Sequence, residues 1–163
     1  MKIEDDIKLD FADVLIRPKR STLDSRSKVN LNRTFKFKTH NGEVSWSGVP
    51  IMASNMDTIG TFQMATALQA HGALCAVHKY YTKDEWDTEM SWWLRNNSGQ
   101  CGVVYTMGMG DANSNMNELQ KAQSVLDAHR HIQFICIDVA NGYTEKFVRY
   151  VEFVRKTFPN HIL

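Results

Sequence analysis

The chain has 163 residues, 43% of them hydrophobic and 23% charged, with a formal net charge of +1 at pH 7. That is enough apolar material for a core, and so even a charge balance leaves no basic footprint for nucleic acid. No apolar stretch approaches the roughly 20 residues of a membrane span. The opening Met1-Lys2-Ile3-Glu4-Asp5-Asp6 is too polar for a signal peptide, so a cytoplasmic protein that engages no membrane is expected.

Residues 1–42 read as an extended arm with a small hairpin, from Arg17-Pro18-Lys19-Arg20 and the polar-apolar alternation through Val29, Leu31, Phe35 and Phe37. A first strand covers Val49 to Ala53, and a helix from about Thr61 to His71 is stopped by Gly72. The second strand, Ala73 to Val77, is a short apolar run that ends in His78-Lys79. The second helix opens with Thr82-Lys83-Asp84-Glu85, a capping-box pattern, and sets Trp86, Met90, Trp93 and Leu94 on one inner face.

A third strand, Gly102 to Tyr105, leads to a helix from about Asn115 to His129 with Leu119, Ala122, Val125 and Leu126 inward. The fourth strand, Gln133 to Ile137, ends in Asp138. The last helix, about Thr144 to Thr157, places Phe147, Val151, Val154 and Phe158 opposite a solvated face of Lys146, Arg149, Glu152 and Arg155, and Pro159 ends it. His161-Ile162-Leu163 reads as the start of a fifth strand. His129 and His131 read as exposed helix-terminal histidines rather than a metal site, and no residue is assigned to a metal. The three cysteines, Cys75, Cys101 and Cys136, read as small buried hydrophobes in or beside strands, with no catalytic role.

Strands that are apolar throughout are buried on both faces, which points to a parallel sheet covered by helices. Four strand-helix units and the beginning of a fifth make half of an eight-fold barrel, because a closed barrel of this kind needs about 250 residues. The expected fold is α/β: the N-terminal half of a (β/α)8 barrel, one partial domain over 1–163, with arm and hairpin over 1–42 and four βα units over 43–163, truncated at the fifth strand. A small doubly wound sheet is the competing fold, but Gly108-Met109-Gly110 supplies only part of the glycine fingerprint. In either fold ligand and catalytic groups sit at the carboxyl ends of the strands, so Lys79 and Asp138 are the first site candidates. The alternative is that they form an ordinary strand-end salt bridge.

Four segments together carry a specific resemblance: Leu9-Asp10-Phe11-Ala12-Asp13-Val14-Leu15-Ile16-Arg17-Pro18-Lys19-Arg20-Ser21-Thr22, Ser47 to Thr58 with its Met52-Ala53-Ser54-Asn55-Met56-Asp57 core, Ala76-Val77-His78-Lys79, and Asp138-Val139-Ala140-Asn141-Gly142-Tyr143. In this order they resemble the guanosine monophosphate reductase family. Inosine monophosphate dehydrogenases share the barrel and similar segments. Most of those enzymes carry a regulatory domain inserted after the second strand, whereas here Lys79 runs directly into a helix and the Arg17 to Thr22 run is similar to the reductase pattern.

The resemblance implies an NADPH-dependent oxidoreductase of purine metabolism that converts GMP to IMP and ammonia. In that family a cysteine thiolate attacks the purine, ammonia leaves, and hydride from NADPH completes the reaction. The cysteine, the potassium-binding carbonyls and most of the nucleotide-phosphate site lie on a loop of the barrel's second half, so no nucleophile is assigned here and this chain alone is expected to be inactive. By the same resemblance Lys79, Asp138, Val139 and Ala140 are cofactor positions, Ser25 and Arg26 touch the dinucleotide, and Ser54, Asn55 and Met56 lie near the purine. A homotetramer of complete barrels is implied. Thr106-Met107-Gly108-Met109-Gly110 and the Asn/Ser-rich stretch through Asn117 depart from the family's small, hydroxyl-bearing pattern, which puts cofactor contact there in doubt. A non-catalytic half barrel that docks on an intact family member is the other functional expectation.

Overall fold

The computed structural model describes residues 5–109 and 115–163. They divide into two units, one ending at Asn30 and one from Leu31 to Leu163. In the first unit every described residue is exposed, and its regular structure consists of two 3-10 turns, Phe11–Asp13 and Arg26–Lys28. Each turn is capped from its own sequence. Asp10 accepts from the Phe11 amide while Asp13 accepts from the Asp10 amide, and Ser25 accepts from the Ser27 amide. Short polar side chains are suited to such local bonds, which compete with longer elements.

The second unit begins with an antiparallel hairpin, β1 (Arg33–Thr39) and β2 (Gly42–Gly48). Its turn is closed by Gly42, whose φ of 121° favours a residue without a side chain. The hairpin thus runs six residues past the expected boundary at 42, and the first barrel strand is correspondingly short. β3 covers only Met52–Ala53, because the Val49 amide leaves the ladder to bond the Gly72 carbonyl at 2.9 Å. From there the chain alternates: α1 (Phe62–Gln69), β4 (Leu74–Val77), α2 (Lys83–Asn96), β5 (Val103–Gly108), α3 (Asn115–Ala128), β6 (Phe134–Asp138) and α4 (Glu145–Thr157). The four strands are parallel and lie in chain order, β3-β4-β5-β6. A doubly wound sheet would reverse direction at a switch point, so the barrel topology is the one adopted. Ile162 extends the open edge by a parallel bridge to Phe134, its amide donating to the Gln133 carbonyl at 2.8 Å.

Strand alternation sorts the core into two layers. Cys75, Val77, Val103, Tyr105, Met107 and Ile135 face the helices and pack with Phe62, Trp86, Met90, Trp93, Ala122, Val125 and Val154. Leu74, Ala76, Val104 and Phe134 face the barrel interior, where Trp46 of the hairpin joins them. The rings of Phe37 and Trp46 meet Phe134 edge-on, with centroids 5.8 and 6.2 Å apart. The hairpin therefore closes the amino-terminal end of the interior and leaves the carboxyl-terminal end open.

The helix starts follow their cap signals. Thr82 and Glu85 form both bonds of the capping box, and Thr61 and Thr144 cap α1 and α4. Leu94, expected on the inner face of α2, is exposed, since Trp86, Met90 and Trp93 already fill the helix-sheet gap. Arg155 does not belong to a purely solvated face: it is half-buried and donates to the His161 carbonyl at 2.6 Å. No helix among the described residues is long and apolar enough to cross a membrane.

The expectation of exposed histidines after α3 is overturned. His129 is buried, with Nε2 2.9 Å from Asp87 Oδ1 of α2, and His131 is half-buried with its Nε2 unpartnered. Burial, with His129 nearby as a lesser cause, pulls the His131 value below the ordinary histidine range. Burial and then Arg155 do the same to His161, opposed by Asp127. A depressed folded value means that the unfolded chain takes up the proton first, so this contribution is intact above about pH 6.5 and is lost as pH falls through it. The melting temperature should drop between about pH 7.5 and 5, and a His131→Leu, His161→Leu double variant should flatten that slope. An identical slope in the double variant would show that other groups govern it.

Candidate functional site

The chemistry collects where β4, β5 and β6 end. Lys79 is the second residue after β4 and Asp138 closes β6, and their side chains meet with Nζ 3.3 Å from Oδ2. The strand-end salt bridge considered from the sequence is thus formed. Both groups are also about a third exposed, at 31% and 39%, which leaves them open to a ligand. Between them Gly108 ends β5 and the lysine passes close over it, since a Cβ there would lie 3.5 Å from Lys79 Nζ, in ordinary contact.

Two depressions flank this pair. One, of about 590 Å³, is lined by Lys79, Gly108, Met109, Glu118, Asp138, Val139, Ala140, Asn141, Thr144 and Lys146. The other, of about 380 Å³, is lined by Asn55, Met56, Asp57, Thr58, Tyr80 and the same Lys79 and Asp138. Lys79, Asp138, Val139 and Ala140 thus come together on one side, and Asn55 and Met56 on the other. Ser54 lies in the same loop but does not line the depression. Ser25 and Arg26 lie in the arm, a separate unit, where Ser25 caps the turn that Arg26 opens.

Several residues here escaped the sequence reading. Gly60 anchors the loop after β3: its carbonyl accepts from the His78 amide at 2.8 Å, and a Cβ would fall 2.2 Å from the Ala76 carbonyl. A Thr-Ile-Gly-Thr run ahead of a helix was the available signal. Tyr150 of α4 is buried and donates its hydroxyl to the Gly108 carbonyl at 3.1 Å, and burial pushes its own value up to about 12. Glu118 approaches the Gly108 amide from α3 at 3.5 Å, and Lys146, read as part of a solvated face, borders the larger depression.

The methionine departure is resolved in part. β5 extends three residues beyond Tyr105, so Met107 is a strand residue packed under the helices, fully buried and turned away from the depression. Met109 does border it. Gly110 and the Asn/Ser-rich residues through Ser114 lie outside the described residues.

Cys75 and Cys101 are buried, and desolvation pushes both thiols up to about 11, which suits packing and not nucleophilic attack. Cys136 is half-buried, also raised chiefly by burial, and turned into the barrel interior.

Parallel strands in chain order, helices outside and a charged pair on the carboxyl-terminal rim define one half of a TIM-type barrel with its site in the usual place. The IMP dehydrogenase / GMP reductase domain model matches residues 8–163, and the chain belongs to that family. It is 47% identical over its whole length to a GMP reductase of Tolumonas auensis and 50% identical over 98% of its length to a GMP reductase of Escherichia coli O81. It spans 44% and 43% of the lengths of those two relatives. Among solved structures, an inosine 5' monophosphate dehydrogenase from Legionella pneumophila matches 93% of this chain and 41% of its own, with a TM-score of 0.65 and 26% identity.

Proposed function

We propose that this chain supplies the first half of a cytoplasmic reductase that converts GMP to IMP and ammonia with NADPH. Lys79 is its central functional residue. The observation that carries this reading is the position of the Lys79–Asp138 pair, which walls two adjacent depressions at once. A residue that serves both cofactor and substrate needs such a place.

On the larger side Lys79, Asp138, Val139 and Ala140 form the cofactor surface. Its chemistry suits the ribose and nicotinamide portion of a dinucleotide: carboxylates of Asp138 and Glu118 can accept from sugar hydroxyls, Lys79 and Lys146 balance phosphate charge, and Met109 and Ala140 offer apolar cover. Bound there, NADPH would supply hydride. In the arm Arg26, with Ser25, offers planar donors to a dinucleotide phosphate. On the smaller side Asn55 and Met56, with Ser54 behind them, face the purine nucleotide. The nucleophilic cysteine and the potassium site belong to the second half of the barrel, and the complete enzyme is a homotetramer.

NADPH titrated into the purified chain should enhance or quench its fluorescence saturably, and Lys79→Ala should weaken binding at least about fivefold, the loss of one charge-assisted contact. Equal binding by wild type and variant removes Lys79 from the cofactor surface.

One feature favours a second reading, a non-catalytic module that docks on an intact family member. The inner sheet face is open, with Phe35 41%, Ile51 60% and Met52 48% exposed along an apolar depression of about 440 Å³. Sedimentation of the chain with a full-length GMP reductase separates the two readings, since only docking yields a stable mixed species.

A further inference from the structure

The proposed role of Lys79 requires its side chain to be aimed, yet it stands two residues beyond the end of β4, with no ladder bond among the described residues to hold it. The peptide unit that joins Lys79 to Tyr80 is nevertheless gripped at both polar ends. Its carbonyl accepts from Lys121 Nζ of α3 at 2.8 Å, and its amide, on Tyr80, donates to His78 Nδ1 at 3.3 Å. The His78 ring is itself locked: it is 9% exposed and stacks on Tyr81 with centroids 4.3 Å apart and planes within 6°. A peptide bond is planar, so restraining both ends restricts the torsion on the carbonyl side of the Lys79 Cα and with it the direction in which the Cα–Cβ bond leaves the backbone, from which the ammonium reaches Asp138.

Lys121 is unusual for a helix lysine. It is half-buried, and desolvation lowers its value from the ordinary lysine range, with Glu118 and Glu85 opposing. A long cationic side chain loses rotamer freedom and hydration when it is drawn inward, so a position that keeps it needs a specific partner. The partner here is a backbone carbonyl 42 residues away in sequence, beside the ion pair.

We propose that Lys121 is a positioning residue for Lys79: together with His78 it clamps the 79–80 peptide and so holds the Lys79 ammonium against Asp138, between the two depressions. This deepens the cofactor-and-substrate reading of Lys79 and rests on it. Gln and Met at position 121 are both one atom shorter than Lys and match each other in length, but Gln keeps an N–H donor for the carbonyl and Met has none.

The test is the rate at which an amine-acylating reagent modifies Lys79 in the purified 163-residue chain, read by peptide mass spectrometry, with Lys146 on the same depression as internal reference. In Lys121→Met the Lys79 rate should rise at least about threefold relative to Lys146, as expected when an ion pair about a third exposed is no longer held in register. In Lys121→Gln it should stay near wild type. His78→Phe preserves the ring stack and removes the acceptor, so it should raise the rate as well and gives an independent reading if Lys121→Met does not melt cooperatively. An unchanged Lys79 rate in folded Lys121→Met, or in His78→Phe, overturns the clamp. A parallel NADPH titration keeps the two ideas apart. Reactivity that shifts as expected in a chain that does not bind NADPH leaves the clamp standing and removes the cofactor reading, and binding with insensitive Lys79 does the reverse.

Discussion

If the full-length protein is the reductase proposed above, Lys79→Ala in it should lower turnover at least about tenfold, the scale of a positioned group that assists charge movement at the reacting centre. The expectation follows from geometry. The ammonium is 3.3 Å from Asp138 at the seam of the two depressions, where a charge can act on a group in either. Tenfold corresponds to about 1.4 kcal/mol of transition-state stabilisation, a modest demand on one charge in a partly desolvated cleft. How the loss divides is informative: a rise in KM for NADPH with kcat preserved assigns Lys79 to binding, while a fall in kcat assigns it to the chemical step. Lys79→Arg should not restore activity fully, because a planar fork replaces a compact point charge. Wild-type constants in the alanine variant would refute the role.

Trp86→Ala is the largest stability loss expected, about 3–5 kcal/mol, enough to lower the melting temperature by roughly 6–20 °C in a domain of this size. Trp86 is fully buried at the junction of α1, α2 and β5, with ring centroids 4.9 Å from Phe62 and 5.1 Å from Tyr105. Its indole Nε1 has no partner, so deletion sacrifices apolar packing and no hydrogen bond, and the void left between two aromatic rings cannot collapse easily. Trp92, on the outer side of the same helix and 47% exposed, is the control: its alanine variant should change stability by less than about 0.5 kcal/mol. A loss below about 1 kcal/mol for Trp86→Ala in urea unfolding would mean that the layer repacks around the gap.

Much of the architecture was legible because its determinants are local. The Thr82 to Glu85 capping box satisfies amides within one turn, the helical spacing of Trp86, Met90 and Trp93 needs only the geometry of one helix, and apolar runs such as Leu74–Val77 declare burial on both faces. Where the reading failed, a distant segment had intervened. Thr106, Met107 and Gly108 continue β5 because β6 offers partners through Asp138, and this carries Met107 into the core instead of a loop. His129 is buried because Asp87, on another helix, faces it. β2 forms because β1 lies opposite, residue against residue from Arg33 with Gly48 to Thr39 with Gly42. Only the hairpin has a periodic signature in its own stretch of chain, the alternation through Phe35 and Phe37, and that alternation does not say where the partner strand ends.

The site divides along the same line. That a lysine follows one buried strand and an aspartate ends another, with a glycine at the end of the strand between, was set by residue order, since parallel strands in sequence bring their carboxyl ends to one rim. The sequence by itself thus determined the family, the half-barrel class and the pair of charges. Only the tertiary structure decided that those charges meet, that Gly60 and Tyr150 brace the rim, and that Lys121 grips the Lys79 peptide from a helix. Such contacts depend on distances between elements far apart in sequence, which are settled by how side-chain volumes pack when the layers close.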